Sequence, residues 1–249
     1  MAAVAHAAEP PPSFDLRAEG SFPFQYQQTQ TATSRQNSET AAPFGALTAT
    51  AHLPYDWSAS VFGNAGHDPL GRFRDNDNTF ASYGSNIAKR WGGLLTGASI
   101  EHTYYYTGSF GQTSSIANDV NVFARYEWKP RVDLMITPML VGTTRLDDAW
   151  VTQRYSVGVS FDIQQRLIGN WWFVTMPRIR YSSYVGAEAG RRDVSLSTVA
   201  GLRYRFNDHV SFTTLAGGES RSSTVVDKRR EKFVAGASLD FDFDLLRWR

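Results

Sequence analysis

The chain of 249 residues contains no cysteine, so neither disulfides nor thiolates stabilise it or do its chemistry. It carries no surplus of either charge. Against 25 Lys and Arg stand 24 Asp and Glu, a net charge of +1, which gives no global pull toward nucleic acid, and no nucleic-acid partner is expected. Long apolar runs are missing too: none approaches the ~20 residues that a membrane-spanning helix needs. A Gly-rich phosphate cradle followed by lysine is absent, which argues against a nucleotide cofactor. His52 and His67 have no ligand-spaced partner, so no metal site is expected and no cofactor is implied.

What the chain does have is alternation. In residues 193–218, Val194, Leu196, Thr198, Ala200, Leu202, Tyr204 and Phe206 take one face, while Asp193, Ser195, Ser197, Gly201, Arg203 and Arg205 take the other. After Asn207-Asp208-His209 the pattern resumes with Val210, Phe212, Thr214 and Ala216. A side-chain period of two is that of a strand, so this stretch reads as a long antiparallel hairpin. The same pattern recurs near 13–27, 44–55, 57–66, 79–89, 93–106, 118–128, 132–144, 150–163, 171–184, 192–206, 210–221 and 230–245. That makes about twelve strands, most longer than the ~5–6 residues of soluble sheets and long enough for a tilted membrane crossing of ~9–11. The mean hydropathy is negative, but alternating strands average to soluble-looking values. A soluble sandwich, with its apolar face as core, is the alternative.

The connections sort by length. Short turns fall at 54–56, 89–92, 129–131, 164–170 and 207–209, and longer polar loops near 28–43, 67–78, 107–117, 145–149, 185–191 and 222–229. Six of the seven tryptophans (Trp57, Trp91, Trp128, Trp171, Trp172 and Trp248) lie beside a short turn or the C-terminus, and Trp150 lies at the other end. Indole is apolar with one polar edge and collects at membrane boundaries, so those six read as an aromatic girdle. Tyr26, Tyr104, Tyr106, Tyr155 and Tyr181 read as the second belt.

In these features the chain resembles the transmembrane β-barrels of Gram-negative outer membranes, over roughly residues 13 to 249. The resemblance implies an all-β, antiparallel up-and-down barrel with both termini periplasmic, surrounded by outer-membrane lipid and lipopolysaccharide and inserted by the barrel-assembly machinery. Its last strand alternates Phe233, Ala235, Ala237, Leu239, Phe241 and Phe243 with polar residues, and then departs from the pattern at Leu245-Leu246, ending in Trp248-Arg249. Residues 1–12 read as a signal-peptide remnant, with Ala5-His6-Ala7 as a small-x-small cleavage site, and a Pro-rich lead-in.

With the apolar face turned to lipid, the charges line the lumen. Estimated registers bring Arg154 and Arg180 to similar heights, with Arg178 nearby, as a basic arc. They put Arg17, Arg125, Arg203 and Arg205 nearer the periplasmic end. Glu127, Asp133 and Asp162 gather at the periplasmic mouth, Glu101 also points inward, and Asp240, Asp242 and Asp244 face Asp15, Arg17 and Glu19 across the closing seam. Facing basic and acidic linings suit a channel for small anionic or polar solutes. The alternative is a filled or gated barrel serving an export or periplasmic partner. An enzyme is the third class and is not expected. Asp147 and Asp148 lie at one end and Asp208-His209 at the other, while His102 falls opposite Thr79 and Val122 with no serine to activate. Asp75-Asn76-Asp77-Asn78 reads as a solvated turn and not a calcium loop. The run Asp227-Lys228-Arg229-Arg230-Glu231-Lys232 would project outward, with cations that could meet lipopolysaccharide phosphates.

Overall fold

The computed structural model describes residues 13–31, 34–41, 43–67, 79–107, 112–147 and 153–248. The lead-in 1–12, Asp75–Asn78, Asp148, Trp150 and the Asp147 side chain lie outside the described residues. Fifteen strand segments follow one another: β1 (Ser13–Thr31), β2 (Arg35–Ala41), β3 (Phe44–Leu53), β4 (Trp57–His67), β5 (Thr79–Trp91), β6 (Leu94–Thr107), β7 (Gln112–Tyr126), β8 (Trp128–Arg131), β9 (Leu134–Asp147), β10 (Arg154–Arg166), β11 (Trp171–Thr175), β12 (Arg178–Tyr184), β13 (Arg192–Arg205), β14 (Val210–Ser223) and β15 (Arg230–Trp248). Three pairs of segments are single strands with a local break. Both β2 and β3 pair with β1, both β7 and β8 pair with β9, and both β11 and β12 lie between β10 and β13. The result is a closed antiparallel barrel of 12 strands. Closure gives every strand two neighbours and leaves no edge, which an apolar surrounding demands of backbone N–H and C=O groups.

Each break has a local cause. Between β11 and β12 stands Pro177, which has no N–H to give; its carbonyl accepts from Phe161 N–H at 3.0 Å, and Met176 N–H donates to Val199 at 2.9 Å. At the short-turn end the chain reverses tightly. Tyr55 and Asp56 take φ of 59° and 60°, and Gly92 takes 59°, the left-handed values that two-residue hairpin turns use. At the other end the first hairpin is longer than the sequence indicates. β1 runs to Thr31 and β2 starts at Arg35, so most of the expected loop 28–43 is strand. The phase break at Leu245-Leu246 is a bulge, where the register shifts between Leu16↔Leu246 and Arg17↔Asp244.

The apolar face is outward. Phe22, Leu47, Val61, Ile87, Ile100, Val122, Leu140, Val157, Leu196, Leu202 and Phe241 share the face opposite to the charges, and most of them are exposed. Arginine on this face is expensive. Val122→Arg, near mid-strand, is expected to lower stability by about 2–4 kcal/mol. Ser211→Arg, facing inward beside Asp240, is expected to change it by less than about 0.5 kcal/mol. Urea unfolding from lipid vesicles reads both.

At the short-turn end five of the six expected girdle tryptophans turn to the outer face, and one does not. Lys89 lies between Trp57 and Trp91, its ammonium 5.3 and 4.1 Å from the two rings, and Trp91 donates to Thr96 Oγ1 at 3.2 Å. Trp171 packs against Tyr204, while Trp128 and Trp248 are exposed. Trp172 is not a girdle residue. It follows Trp171 directly, so it faces the opposite way, into the lumen, where the Arg205 guanidinium lies 4.3 Å from its ring.

Candidate functional site

The inward face of the barrel is polar and unevenly filled. At the long-loop end the inward side chains close on one another. Tyr105, Ser115 and Ala117 are about 1% exposed, and Phe80, Asp119, Arg145, Ser182, Tyr184, Asp193, Ser223 and Lys232 are buried with them. Phe44 stacks on Phe80 with ring centroids 6.4 Å apart, next to Tyr105 and Ala117. Deeper in, the Phe62 ring lies over Gly84 and the Phe123 ring over Gly97, where the absent side chains leave room for them. Toward the short-turn end a cavity of about 830 Å³ remains. It is lined by Arg17, Glu19, Ser21, Arg203, Arg205, Asp240 and Asp242, and bounded above by Phe44, Phe80, Val199, Leu215 and Val234. The lumen is thus a wide vestibule under a dense layer.

In the dense layer, the arc residues sit on two neighbouring strands. Arg154 pairs across with Tyr184, Ser156 with Ser182, Gly158 with Arg180 and Ser160 with Arg178. Arg154 and Arg180 are therefore not level but four residues apart, because the turn between their strands is centred near Gly169 and the β10 strand runs on to Arg166. Neither Arg154 nor Arg180 forms a salt bridge or side-chain hydrogen bond among the described residues; Arg154 has only the Tyr184 ring, at 5.8 Å. Of the charged groups acting most on Arg180, Arg178, Arg154 and Arg145 are cationic and Glu219 alone is acidic. Burying charge without a partner is costly, and Arg154 and Arg180 are held close to other cations.

Two ion-pair knots flank the arc, and reading the sequence found neither. Asp119 on β7 takes both the Nε and the NH2 group of Arg145 on β9, a fork-to-fork pair with the Nε contact at 2.7 Å. Both side chains are nearly inaccessible, at 5% for Arg145 and 11% for Asp119. At the rim, Arg191 binds Asp193 at 3.0 and 2.5 Å and Glu188 at 2.5 Å, and its guanidinium lies 4.0 Å from the Tyr184 ring. Glu188 in turn holds Lys228 at 3.1 Å, tying the 185–191 loop to the 224–229 loop. Arg191 lies outside the spanning strands, and its guanidinium is held above its ordinary range: burial works against the charge, and Asp193 and Glu188 outweigh it.

The other expected site residues are placed as follows. Glu127 pairs with Lys129 at 3.3 Å, Asp133 with Arg131 at 3.3 Å, and Asp162 accepts from Gln164 at 3.0 Å, all at the short-turn end. Glu127 and Asp133 lie at the turn mouth, while Asp162 stands two residues along β10 from Ser160, the partner of Arg178. Arg125 is exposed to the lumen near that mouth. Arg203 donates to Thr213 at 3.2 Å, and Arg205 to Gln164 at 3.3 Å. Across the seam Arg17 pairs with Asp242, and Asp240 accepts from Ser21 at 2.8 Å; Arg17 also meets Glu19 on its own strand, and Asp244 pairs within β15 with Arg247 at 3.5 Å. His52 contacts Asp15 at 2.6 Å. Glu101 accepts from Ser82 at 2.6 Å.

His102 faces outward, but opposite Tyr83 and Asn118 rather than Thr79 and Val122; the tight Gly92-Gly93 turn before β6 sets the first of these pairings, and the β6–β7 register the second. The His102 Nδ1–H donates to Asn118 Oδ1 at 2.6 Å. Only part of the 227–232 run projects. Arg230 reaches Glu219 at 3.5 Å and Lys232 is buried, because strand β15 has already begun and turns both inward. No group of three or more His, Asp or Glu side chains fit to hold a metal occurs among the described residues.

No family model and no curated protein matches the sequence. Solved structures do match in shape. An outer membrane channel of Pseudomonas putida F1 superposes with a TM-score of 0.58 at 9% identity, over 94% of this chain and 97% of that one. A bacterial polysaccharide outer membrane secretin superposes with a TM-score of 0.54 at 12% identity, over 92% and 98%. At these identities the likeness is one of fold. The chain shares with these outer-membrane proteins the fold of a closed antiparallel β-barrel.

Proposed function

We propose that the protein is a channel of the Gram-negative outer membrane that passes small anionic or polar solutes, with its short-turn end and both termini in the periplasm. The observation that carries this reading is the pair Arg154 and Arg180. Both are inward and held in a dense polar layer, and neither has a carboxylate partner among the described residues. A barrel that used its lumen charges only as internal cross-links would pair them, as it pairs Asp119 with Arg145. On this reading the vestibule below the layer receives solutes from the periplasmic side. Outer-membrane lipid and lipopolysaccharide surround the outward face, and insertion falls to the barrel-assembly machinery.

Detergent-refolded protein in a planar bilayer under a salt gradient tests the reading. Small conductance steps with an anion-favouring reversal potential are expected. The Arg154→Gln, Arg180→Gln double variant should move that potential toward zero. A potential unchanged in the variant would remove the arc from the account. The burial of Tyr105, Ser115 and Ala117 favours a second reading, a barrel closed at rest that works with an export or periplasmic partner. Insertion without steps would select it.

A further inference from the structure

Within the dense layer, the two strands β10 and β12 present a repeating inward ladder: Arg154 beside Tyr184, Ser156 beside Ser182, Gly158 beside Arg180. The serine hydroxyls lie 3.0 Å apart, so one donates to the other and a further donor and acceptor remain. Below them Gly158 contributes no side chain, and the Arg180 stem packs directly against it: a Cβ there would lie 3.6 Å from Arg180 Cβ and 3.1 Å from the Ile179 carbonyl oxygen. Arg154 and Arg180 thus bracket a hydroxyl pair above and below. Both guanidiniums are largely enclosed by protein, yet both residues keep surface on the lumen. Arg145, the third cation of the layer, is already taken by Asp119 and serves as a fixed neighbour rather than as a ligand group.

We propose that these four side chains form a saturable site for a small dianion bearing acidic oxygens, such as a phosphate or a dicarboxylate. The proposal deepens the channel reading and rests on its premise that solutes enter the lumen. The chemistry follows from the donor set. A guanidinium offers a planar fork that matches two acidic oxygens, and two forks separated by two hydroxyls match a ligand with two negative charges better than a monoanion. A binding site inside a channel also makes flux saturable, because occupancy, rather than bore, then limits passage.

Isothermal titration calorimetry on detergent-refolded, heat-modifiable protein tests the site without needing a current. The probes are inorganic phosphate and succinate, with acetate as the monoanion control. Saturable binding of at least one dianion is expected, with acetate at least ten-fold weaker. Each guanidinium removed, in Arg154→Gln or Arg180→Gln, should weaken binding about ten-fold or more. Arg180→Lys keeps the charge and loses the fork, and should weaken it several-fold without disturbing the fold. Arg203→Gln, in the vestibule, should bind as the wild type does. Absence of dianion binding to folded wild type, or binding retained in the Arg154→Gln, Arg180→Gln double variant, overturns the site. A barrel that conducts without binding therefore loses the site and keeps the channel, and one that binds without conducting loses the channel.

Discussion

Gly201→Ala should prevent the barrel from forming. Gly201 on β13 faces β14 so closely that a Cβ would be driven into the backbone carbonyl oxygen of Thr214, with the Thr214 carbonyl carbon at 2.7 Å and Leu215 Cα at 3.0 Å. The obstacles are backbone atoms of the adjacent strand, held by the ladder Gly201↔Leu215, and no rotamer change removes them. Gly217, on the facing strand, meets the Thr198 carbonyl oxygen in the same way, so the β13–β14 pair is pinched at two points. Relief requires breaking ladder hydrogen bonds or flattening the local coil of the sheet. The cost should exceed about 4 kcal/mol, the range of strained backbone and overpacked sites. Gly45→Ala is the matched control, because nothing lies within 4 Å of its added methyl. Heat-modifiable mobility on gels should vanish for Gly201→Ala and persist for Gly45→Ala; a folded Gly201→Ala barrel would contradict the close approach.

The second large effect concerns the buried pair. Asp119→Ala leaves the Arg145 guanidinium inside the dense layer without its carboxylate, next to the cationic Arg154. Removing one partner of a buried ion pair costs about 3–5 kcal/mol, since the stranded charge is neither solvated nor compensated. Replacing both, as in Asp119→Leu with Arg145→Met, removes the charge as well as its partner and should recover most of that loss. Unfolding midpoints in urea, with unchanged slopes, distinguish these outcomes. A single variant as stable as the wild type would mean that water reaches Arg145, and that the layer is less dense than its burial indicates.

The twelve strands and their short turns were legible because a period of two, and polar interruptions, are local properties of the chain. Register was not. The turn before β6 is Gly92-Gly93, and this small difference in turn position moved His102 from Thr79 to Tyr83 on the preceding strand. The same kind of difference at Gly169 set Arg154 and Arg180 four residues apart. Such slips by an even number keep each residue on its face and change only which residues stand side by side. Asp119 and Arg145 escaped notice for the same reason. Their pairing depends on the β7–β9 register, and Arg145 lies beyond the expected end of its strand at 144. Trp172 misled because proximity to a turn fixes height but not direction, and its neighbour Trp171 already occupied the outward face.

The ladder between β1 and β15 runs without a gap from Phe14↔Trp248 to Thr31↔Arg230, apart from the bulge at Leu245. It joins strands about 200 residues or more apart along the chain, so it carries the largest loop-closure cost and is expected to form after the hairpins. During that wait both strands are open edges bearing Phe22, Phe24, Phe241 and Phe243, the combination most prone to pair with another molecule. Its length then serves as a one-way latch. Loop-closure entropy is met once, at the end, and thereafter the cylinder can open at this seam only by losing its longest row of hydrogen bonds together with the inner contacts of Arg17 with Asp242 and Ser21 with Asp240.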